Sequence, residues 1–124
     1  MAKVLLVDDN PNDAEVAAAL LQRRGHECAL INDGIEAVAK AKTFKPDLIL
    51  LDIVMQGQDG FATCRQLKRD PETKPIPVVF LSARVEETDK FWGKRLGAVE
   101  YLCKPFRSEE LYAAVDLALA SRPA

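Results

Sequence analysis

Four apolar segments of the sequence end in side chains that can carry out chemistry. The segments at 3–8, 47–52, 78–81 and 99–103 lead, respectively, to Asp8 and Asp9, to Asp52, to Ser82, and to Lys104. Taken alone, an aspartate pair such as Asp8 and Asp9 is typical of a turn and a helix cap. If the three aspartates lie together, two of their carboxylates repel by roughly 4 kcal/mol at a separation of about 4 Å and an effective dielectric near 20. They then remain ionised only with a cation among them.

This combination of carboxylates, a hydroxyl and an ammonium group fits a phosphoryl group beside a metal ion. Hard oxygen ligands suit Mg²⁺, which keeps several waters and takes one or two carboxylates together with phosphate oxygens. A lysine ammonium pairs with an anion, and a serine hydroxyl donates a hydrogen bond to one. A carboxylate of the set can then accept the phosphoryl group itself.

Alternating strands and helices must position these side chains. Strands are predicted at 3–8, 27–31, 47–52, 78–81 and 99–103. The predicted helices begin at Asn10 and Pro11, at Ile35 (with Val38, Ala39 and Ala41 on its apolar face), at 60 (with Phe61, Cys64 and Leu67), at 86 (ending near 96) and at Ser108. Five such units with nearly continuous apolar strands predict a doubly wound α/β fold, in which helices cover both faces of a parallel sheet. Right-handed crossovers bring all carboxyl ends of the strands to one edge, where open sheets bind ligands.

The composition excludes several classes of protein. A chain of 124 residues with a formal net charge of −2 predicts one domain over 1–124 and no general affinity for nucleic acid. The cysteines Cys28, Cys64 and Cys103 form no CxxC motif or Cys/His cluster, which argues against a zinc site and for a cytoplasmic protein with reduced thiols. No apolar run approaches the length needed to span a membrane, and no signal peptide is evident.

Four motifs, taken in order, resemble those of the receiver domain of two-component response regulators. They are "VDD" at 7–9, "LLDIVMQGQDG" at 50–60, "LSA" at 81–83 and "YLCKPF" at 101–106. The resemblance covers essentially the whole chain. It implies a flavodoxin-like sheet of five parallel strands in the order 2-1-3-4-5, with five helices on its two faces.

The resemblance also implies a role for each residue at the strand ends. Asp52 would accept a phosphoryl group from a histidine kinase or a phosphotransfer domain, and Ser82 and Lys104 would bind the phosphoryl oxygens. The implied ligands of Mg²⁺ or Mn²⁺ are Asp8, Asp9, Asp52 and the backbone carbonyl of Val54. Ser82 and Tyr101 would form the conformational switch, Val54 and Arg84 would tune the lifetime of the phosphoryl group, and the bond between Lys104 and Pro105 would be cis.

The expected output is binding of a downstream protein, because no output domain is recognisable after the last helix. The surface of the fourth helix, fifth strand and fifth helix is expected to carry Lys90, Lys94, Tyr101 and Tyr112. The segment "ETDKFWGKRLGA" also resembles single-domain receivers of type IV pilus and other chemosensory motility systems. A role as phosphorelay intermediate or phosphate sink remains an alternative.

Two readings from other classes are weaker. An aspartyl-phosphate hydrolase needs a second acid two residues after the nucleophile, where this chain has Val54. A receiver that serves only as a scaffold, independent of phosphorylation, usually lacks an acidic ligand or the lysine, and this chain keeps them all. Away from the site, at least one of Phe91 and Trp92 is expected in the core, and His26 is expected to be solvated.

Overall fold

The computed structural model describes residues 2–55, 57–83 and 86–121, which form one sheet between two layers of helices. The strands are β1 (Lys3–Val7), β2 (Glu27–Ile31), β3 (Leu48–Leu51), β4 (Val78–Ser82) and β5 (Glu100–Cys103). The helices are α1 (Pro11–Arg23), α2 (Ala37–Phe44), α3 (Gly60–Arg69), α4 (Glu87–Arg95) and α5 (Ser108–Ser121), with a 3₁₀ turn at Gly34–Glu36. Each predicted strand is present to within one residue at either end.

All strand pairs are parallel, and their order is β2-β1-β3-β4-β5. The chain therefore reverses direction across the sheet between β1 and β3, which puts a crevice at their carboxyl ends. This arrangement confirms the predicted flavodoxin-like fold with five helices.

Alternate residues of each strand face opposite sides of the sheet, so each face has its own core. One core lies between the sheet and helices α1 and α5, and it includes Leu6, Leu50 and Leu111. The other lies under α2, α3 and α4, and it includes Leu51 and Phe80. Burial of both faces explains why β3, all but the last residue of β4 and all but the first residue of β1 are apolar, whereas the edge strand β2 is only partly buried.

The start of α2 differs from the prediction. Asp33 accepts a hydrogen bond from the backbone N–H of Ile35 at 2.9 Å, which holds the chain in the 3₁₀ turn before the α-helix begins at Ala37. Consequently Ile35 is 60% exposed, and Ala39 is exposed as well. Ala41 is buried as predicted, Val38 packs against the core, and the inward position at the start of the helix belongs to Ala37.

Helix α4 also corrects a prediction, because neither of its aromatic residues enters the core. Phe91 is 56% exposed and Trp92 is 55% exposed. Gly93 occupies the inward position, where a Cβ atom would lie only 3.0 Å from the ring of Phe80 and 3.1 Å from that of Tyr101. The space beneath the helix is thus already filled by side chains of the sheet.

Three further residues lie elsewhere than expected. Tyr101 is 7% exposed and packs with its ring centroid 6.0 Å from that of Phe80, so it lies in the core and not on the surface. Tyr112 faces α1, because its hydroxyl donates to the carbonyl of Leu20 at 2.9 Å. His26 is only partly exposed, and its Nδ1 accepts a hydrogen bond from the backbone N–H of Ala2 at 3.1 Å.

Within the described part of the chain, no helix combines the length and the apolar character that crossing a membrane requires.

Candidate phosphoacceptor site

The carboxyl end of β1 leads directly into a fixed turn that carries Asp8. The backbone N–H of Asp8 donates to the carbonyl of Ile31 on β2, and its carboxylate accepts a hydrogen bond from the N–H of Asn10 at 3.0 Å. Asn10 in turn caps α1 by accepting hydrogen bonds from the N–H groups of Asn12 and Asp13. The side chain of Asp8 is therefore held at the sheet edge by the same turn that starts the helix.

Asp52 occupies the equivalent place after β3, in the crevice beside β1. Its backbone N–H donates to the carbonyl of Val7 at 2.9 Å, and its Oδ1 accepts a hydrogen bond from the N–H of Ile53 at 2.7 Å. Gly60 packs against this turn so closely that a Cβ atom there would collide with the carbonyl oxygen of Asp52. The start of α3 thus supports the backbone that presents the Asp52 carboxylate.

Lys104 reaches across the edge from the end of β5 and joins three carboxylates. Its Nζ donates to Asp8 Oδ2 at 2.8 Å, to Asp13 Oδ2 at 2.8 Å and to Asp52 Oδ2 at 3.2 Å. The Lys104–Pro105 peptide bond is cis, as the resemblance implied. One ammonium group therefore connects β1, α1 and β3.

Asp13 is the member of this cluster that sequence reasoning missed. It lies in the first turn of α1, and its side chain is 42% exposed, whereas those of Asp8 and Asp52 are 6% and 9% exposed. An acidic residue in the first helical turn is ordinarily explained by the helix dipole. Asp13 follows Asp9 by four residues, in the first turn of the helix that leaves the site. This spacing is the sequence signal that Asp13 faces the same crevice.

Burial and ion pairing act in opposite directions on the charges of the cluster. Burial raises the pKa of Asp8 above its usual value of 3.8, although the hydrogen bonds from Lys104 and Asn10 and the charge of Lys104 act to lower it. For Lys104, burial acts to lower the pKa, but hydrogen bonds to Asp13 and Asp8 and the charge of Asp52 outweigh it and raise the pKa above its usual range. Lys104 therefore remains a cation throughout the physiological range.

The acidic residues at this edge fit a hard divalent cation. Carboxylate oxygens of Asp8, Asp9 and Asp52 all lie within 4.8 Å of one another. Three oxygens so close together, on a partly exposed edge with room for water, match the ligand preferences of Mg²⁺. Val54 lies beside them, with its N–H 3.4 Å from Asp52 Oδ1 and its side chain 58% exposed. The role of its carbonyl as a ligand stays a prediction.

Ser82 and Tyr101 lie on neighbouring strands behind the cluster. Ser82 is fully buried at the end of β4, and its carbonyl accepts a hydrogen bond from the N–H of Lys104 at 2.8 Å. Tyr101 pairs with Phe80 in the register of β4 and β5, two residues before the pair of Ser82 and Cys103. Arg84, the other predicted residue of this strand end, lies outside the described residues.

Comparisons with known proteins agree with this geometry. A family described as the response regulator receiver domain matches residues 4–116. Protein PilH of Pseudomonas aeruginosa is 44% identical over 120 residues, which cover 97% of this chain and 99% of that protein. Several DNA-binding response regulators also match, but the chain spans only about half of their length, as with the 48% covered in a regulator from Synechocystis.

Solved structures superpose over nearly the full chain. The chemotaxis protein CheY4 of Vibrio cholerae gives a TM-score of 0.88 at 33% identity, covering 95% of this chain and 98% of that one. The receiver domain of a sensor histidine kinase from Pseudomonas aeruginosa, solved with a magnesium ion coordinated in its active site cleft, gives a TM-score of 0.88 at 31% identity, covering 97% and 98%. The predicted resemblance is thereby confirmed, and the chain belongs to the response regulator receiver domain family.

Proposed function

We propose that this chain is a phosphoacceptor that takes one phosphoryl group onto Asp52 from a histidine kinase or a phosphotransfer domain. The arrangement of the Asp52 carboxylate carries the proposal. Its Oδ1 is occupied by the N–H of Ile53, while its Oδ2 points to Lys104 at 3.2 Å. One oxygen of a buried carboxylate is thus directed to the cationic part of the site.

The proposed transfer breaks the phosphorus–nitrogen bond of a phosphohistidine. Oδ2 of Asp52 attacks phosphorus and forms an acyl phosphate, while the electron pair of the broken bond stays on the imidazole nitrogen, which takes up a proton. Lys104 and the Ser82 hydroxyl are proposed to bind the phosphoryl oxygens, where a fixed positive charge stabilises the charge of the transferring group.

A divalent cation completes the proposed site. Asp8, Asp9 and Asp52, with the backbone carbonyl of Val54, would hold Mg²⁺ or Mn²⁺, which when bound supplies positive charge against the phosphoryl oxygens. The acidic cluster supports this assignment, as does the magnesium ion in the related receiver domain from Pseudomonas aeruginosa.

The same site is proposed to act only on its own acyl phosphate and on no separate substrate. An aspartyl-phosphate hydrolase needs an acid two residues after the nucleophile, and that position carries the exposed, apolar side chain of Val54. Val54 and Arg84 are instead proposed to set the lifetime of the phosphoryl group.

The proposed output is a change of the surface formed by α4, β5 and α5. An inward movement of the Ser82 hydroxyl towards a phosphoryl oxygen would alter the space behind β4 that Tyr101 shares. The burial of Tyr101 supports an inward position as one state of the proposed switch. The proposed effect of phosphorylation is then to favour this position over an outward one, since a ligand shifts an equilibrium by its differential affinity for two states.

The downstream target is proposed to be a protein of a motility or chemosensory pathway. The similarity to PilH over nearly the whole of both chains supports this proposal, as does the likeness to a chemotaxis protein of Vibrio cholerae. A phosphorelay intermediate would instead pass the group on to a second histidine, which a chase with an unlabelled phosphotransfer domain would detect.

Phosphorylation by acetyl phosphate with Mg²⁺ tests the acceptor. Intact-mass measurement should find one added phosphoryl group in the wild type, removed by base, and none in Asp52→Asn. Asp59→Asn is the matched control, because Asp59 is an exposed aspartate of the same loop that caps α3, and asparagine caps helices equally well. Labelling that persists in Asp52→Asn, or that disappears in Asp59→Asn, would contradict the assignment.

A further inference from the structure

Helix α4 exposes two adjacent aromatic side chains that the phosphoacceptor site does not use. Phe91 and Trp92 are each more than half exposed, and their ring centroids lie 5.5 Å apart in an edge-to-face arrangement. The guanidinium group of Arg95 lies 5.7 Å from the centroid of the Phe91 ring. Exposed aromatic residues grouped with arginine are typical of protein interaction sites.

The aromatic pair does not lie on the side of α4 that faces β5. That side carries Lys94, whose Nζ is 3.6 Å from a carboxylate oxygen of Glu100 on β5. Trp92 lies one helical turn before Leu96, whose carbonyl is 3.8 Å from the Sγ atom of Cys64 on α3. Gly93 faces the sheet and Lys94 lies on its β5 side, so the helical rotation puts Trp92 on the opposite flank, where α3 approaches the end of α4, and Phe91 on the outer surface.

The neighbouring surface of α3 is basic. Thr63 points to the opposite flank, since its hydroxyl lies against Gly34, and the flank towards α4 carries Lys68, next to Gly97. Arg65 precedes Lys68 by three residues, which puts the two on the same side of α3, and Arg65 is exposed. Helix α3 contains no acidic residue, and within the described part of the chain neither Arg65 nor Arg95 is within ion-pair distance of a carboxylate.

We propose that the α3–α4 patch, defined as Arg65, Phe91, Trp92 and Arg95, binds an acidic amphipathic segment of a partner protein. The two rings offer apolar anchors, and the two guanidinium groups, which lack carboxylate partners within the described chain, favour carboxylates over amines. A nucleic acid fits less well, because the chain carries a net charge of −2 and α4 begins at Glu87 directly after Glu86.

This surface is separate from the proposed phosphorylation-dependent one. It lies on the α3 side of α4, whereas the switch involves Tyr101 and the β5 side. Binding there needs no phosphoryl group, so it can be tested on the unphosphorylated protein, and its failure would leave the phosphoacceptor proposal untouched.

Trp92 itself provides the measurement, since it is the chain's only tryptophan. The probe is a synthetic helical peptide with leucine and phenylalanine on one face and glutamate elsewhere, titrated at low salt while Trp92 fluorescence is recorded. Saturable binding is expected. Arg95→Glu and Arg65→Glu should each weaken it by about tenfold, while the control Lys94→Glu, on the β5 flank, should change it by less than about twofold.

Two further arms make the result decisive. The same peptide with lysine in place of glutamate should bind the wild type poorly but recover binding to the double variant Arg65→Glu/Arg95→Glu. Because Trp92→Ala removes the fluorescence signal, its affinity for the acidic peptide is measured by calorimetry, and we expect no binding. The proposal is overturned if the acidic peptide does not bind, if Lys94→Glu weakens it as much as Arg95→Glu, or if duplex DNA competes for the patch at equal charge concentration.

Discussion

The carboxyl edge of the sheet buries charged residues, whereas the α3–α4 patch exposes aromatic residues. At the edge, the charged residues Asp8 and Asp52 are 6% and 7% exposed, where a hydrophobic side chain would be ordinary. On α4, Phe91 and Trp92 are more than half exposed, where a polar side chain would be ordinary. Residues of both kinds are uncommon in stable folds unless another group compensates or a function requires them.

The two regions differ in whether the molecule itself supplies the compensation. The buried carboxylates at the edge share the ammonium group of Lys104, so their charges are balanced within the fold. The rings of Phe91 and Trp92 contact each other and Arg95 lies against Phe91, but both residues remain more than half exposed to water. Stability should therefore depend strongly on members of the edge and weakly on members of the patch.

Lys104→Met should give the largest effect, because it leaves two buried carboxylates without their cation. Removing one partner of a buried ion pair costs about 3 kcal/mol or more of unfolding free energy. Urea denaturation at pH 7 with a chelator present would measure the loss. Lys94→Met is the matched control, because its pair with Glu100 is exposed and should contribute less than about 0.5 kcal/mol. Equal losses in both variants would show that the edge is not balanced by Lys104.

Asp8→Asn should act in the opposite direction and depend on pH. Because burial raises the pKa of Asp8 above 3.8, the folded state binds a proton more readily than the unfolded state. That contribution to stability is complete below pH 3.8 and is lost as the pH rises through the folded-state pKa. The variant should thus be more stable than the wild type at pH 7, with a difference that shrinks on acidification towards pH 3.8. Unfolding free energies measured across this range would contradict the idea if the difference grew instead.

Asp13→Asn should have a smaller effect, on phosphorylation more than on stability. Asp13 competes for Lys104 with the phosphoryl oxygens that the lysine is proposed to bind, but its side chain is 42% exposed. Such a pair is worth about 0.5–1 kcal/mol, which corresponds to a rate of phosphorylation by acetyl phosphate about two- to fivefold higher. Glu15→Gln, on the same helix but exposed, should leave the rate unchanged. A slower Asp13→Asn variant would mean that Asp13 positions Lys104 productively.

Most of the fold was predictable because each strand contains a run of apolar residues and is followed by polar residues at similar intervals. The boundaries that moved did so for local reasons, as at Ile35, where a hydrogen bond to Asp33 replaces the first helical turn. Periodicity alone placed Ile35 on the inner face of α2. The periodicity does not show that the helix starts only at Ala37.

The sequence predicted some functional residues and missed others. The strand-end residues could be gathered from sequence because parallel topology brings all carboxyl ends to one edge. Asp13 was missed, because its spacing from Asp9 is also that of an ordinary acidic residue at a helix start, and the hydrogen bond from Lys104 distinguishes the two cases. The exposure of Trp92 follows from Gly93, which faces the rings of Phe80 and Tyr101, and that close packing becomes visible only in three dimensions.

The smallest effect on stability is expected from the patch itself. Trp92→Ser and Phe91→Ser remove side chains that are more than half exposed, so each should change the unfolding free energy by less than about 0.5 kcal/mol. Phe80→Ala is the contrasting control, because that fully buried ring should cost about 3 kcal/mol or more. Urea denaturation should be followed by circular dichroism, since Trp92→Ser removes the tryptophan signal. A loss above 1 kcal/mol in Trp92→Ser would mean that the rings stabilise the fold as well as being free to bind a partner, and the contrast between the two regions would then fail.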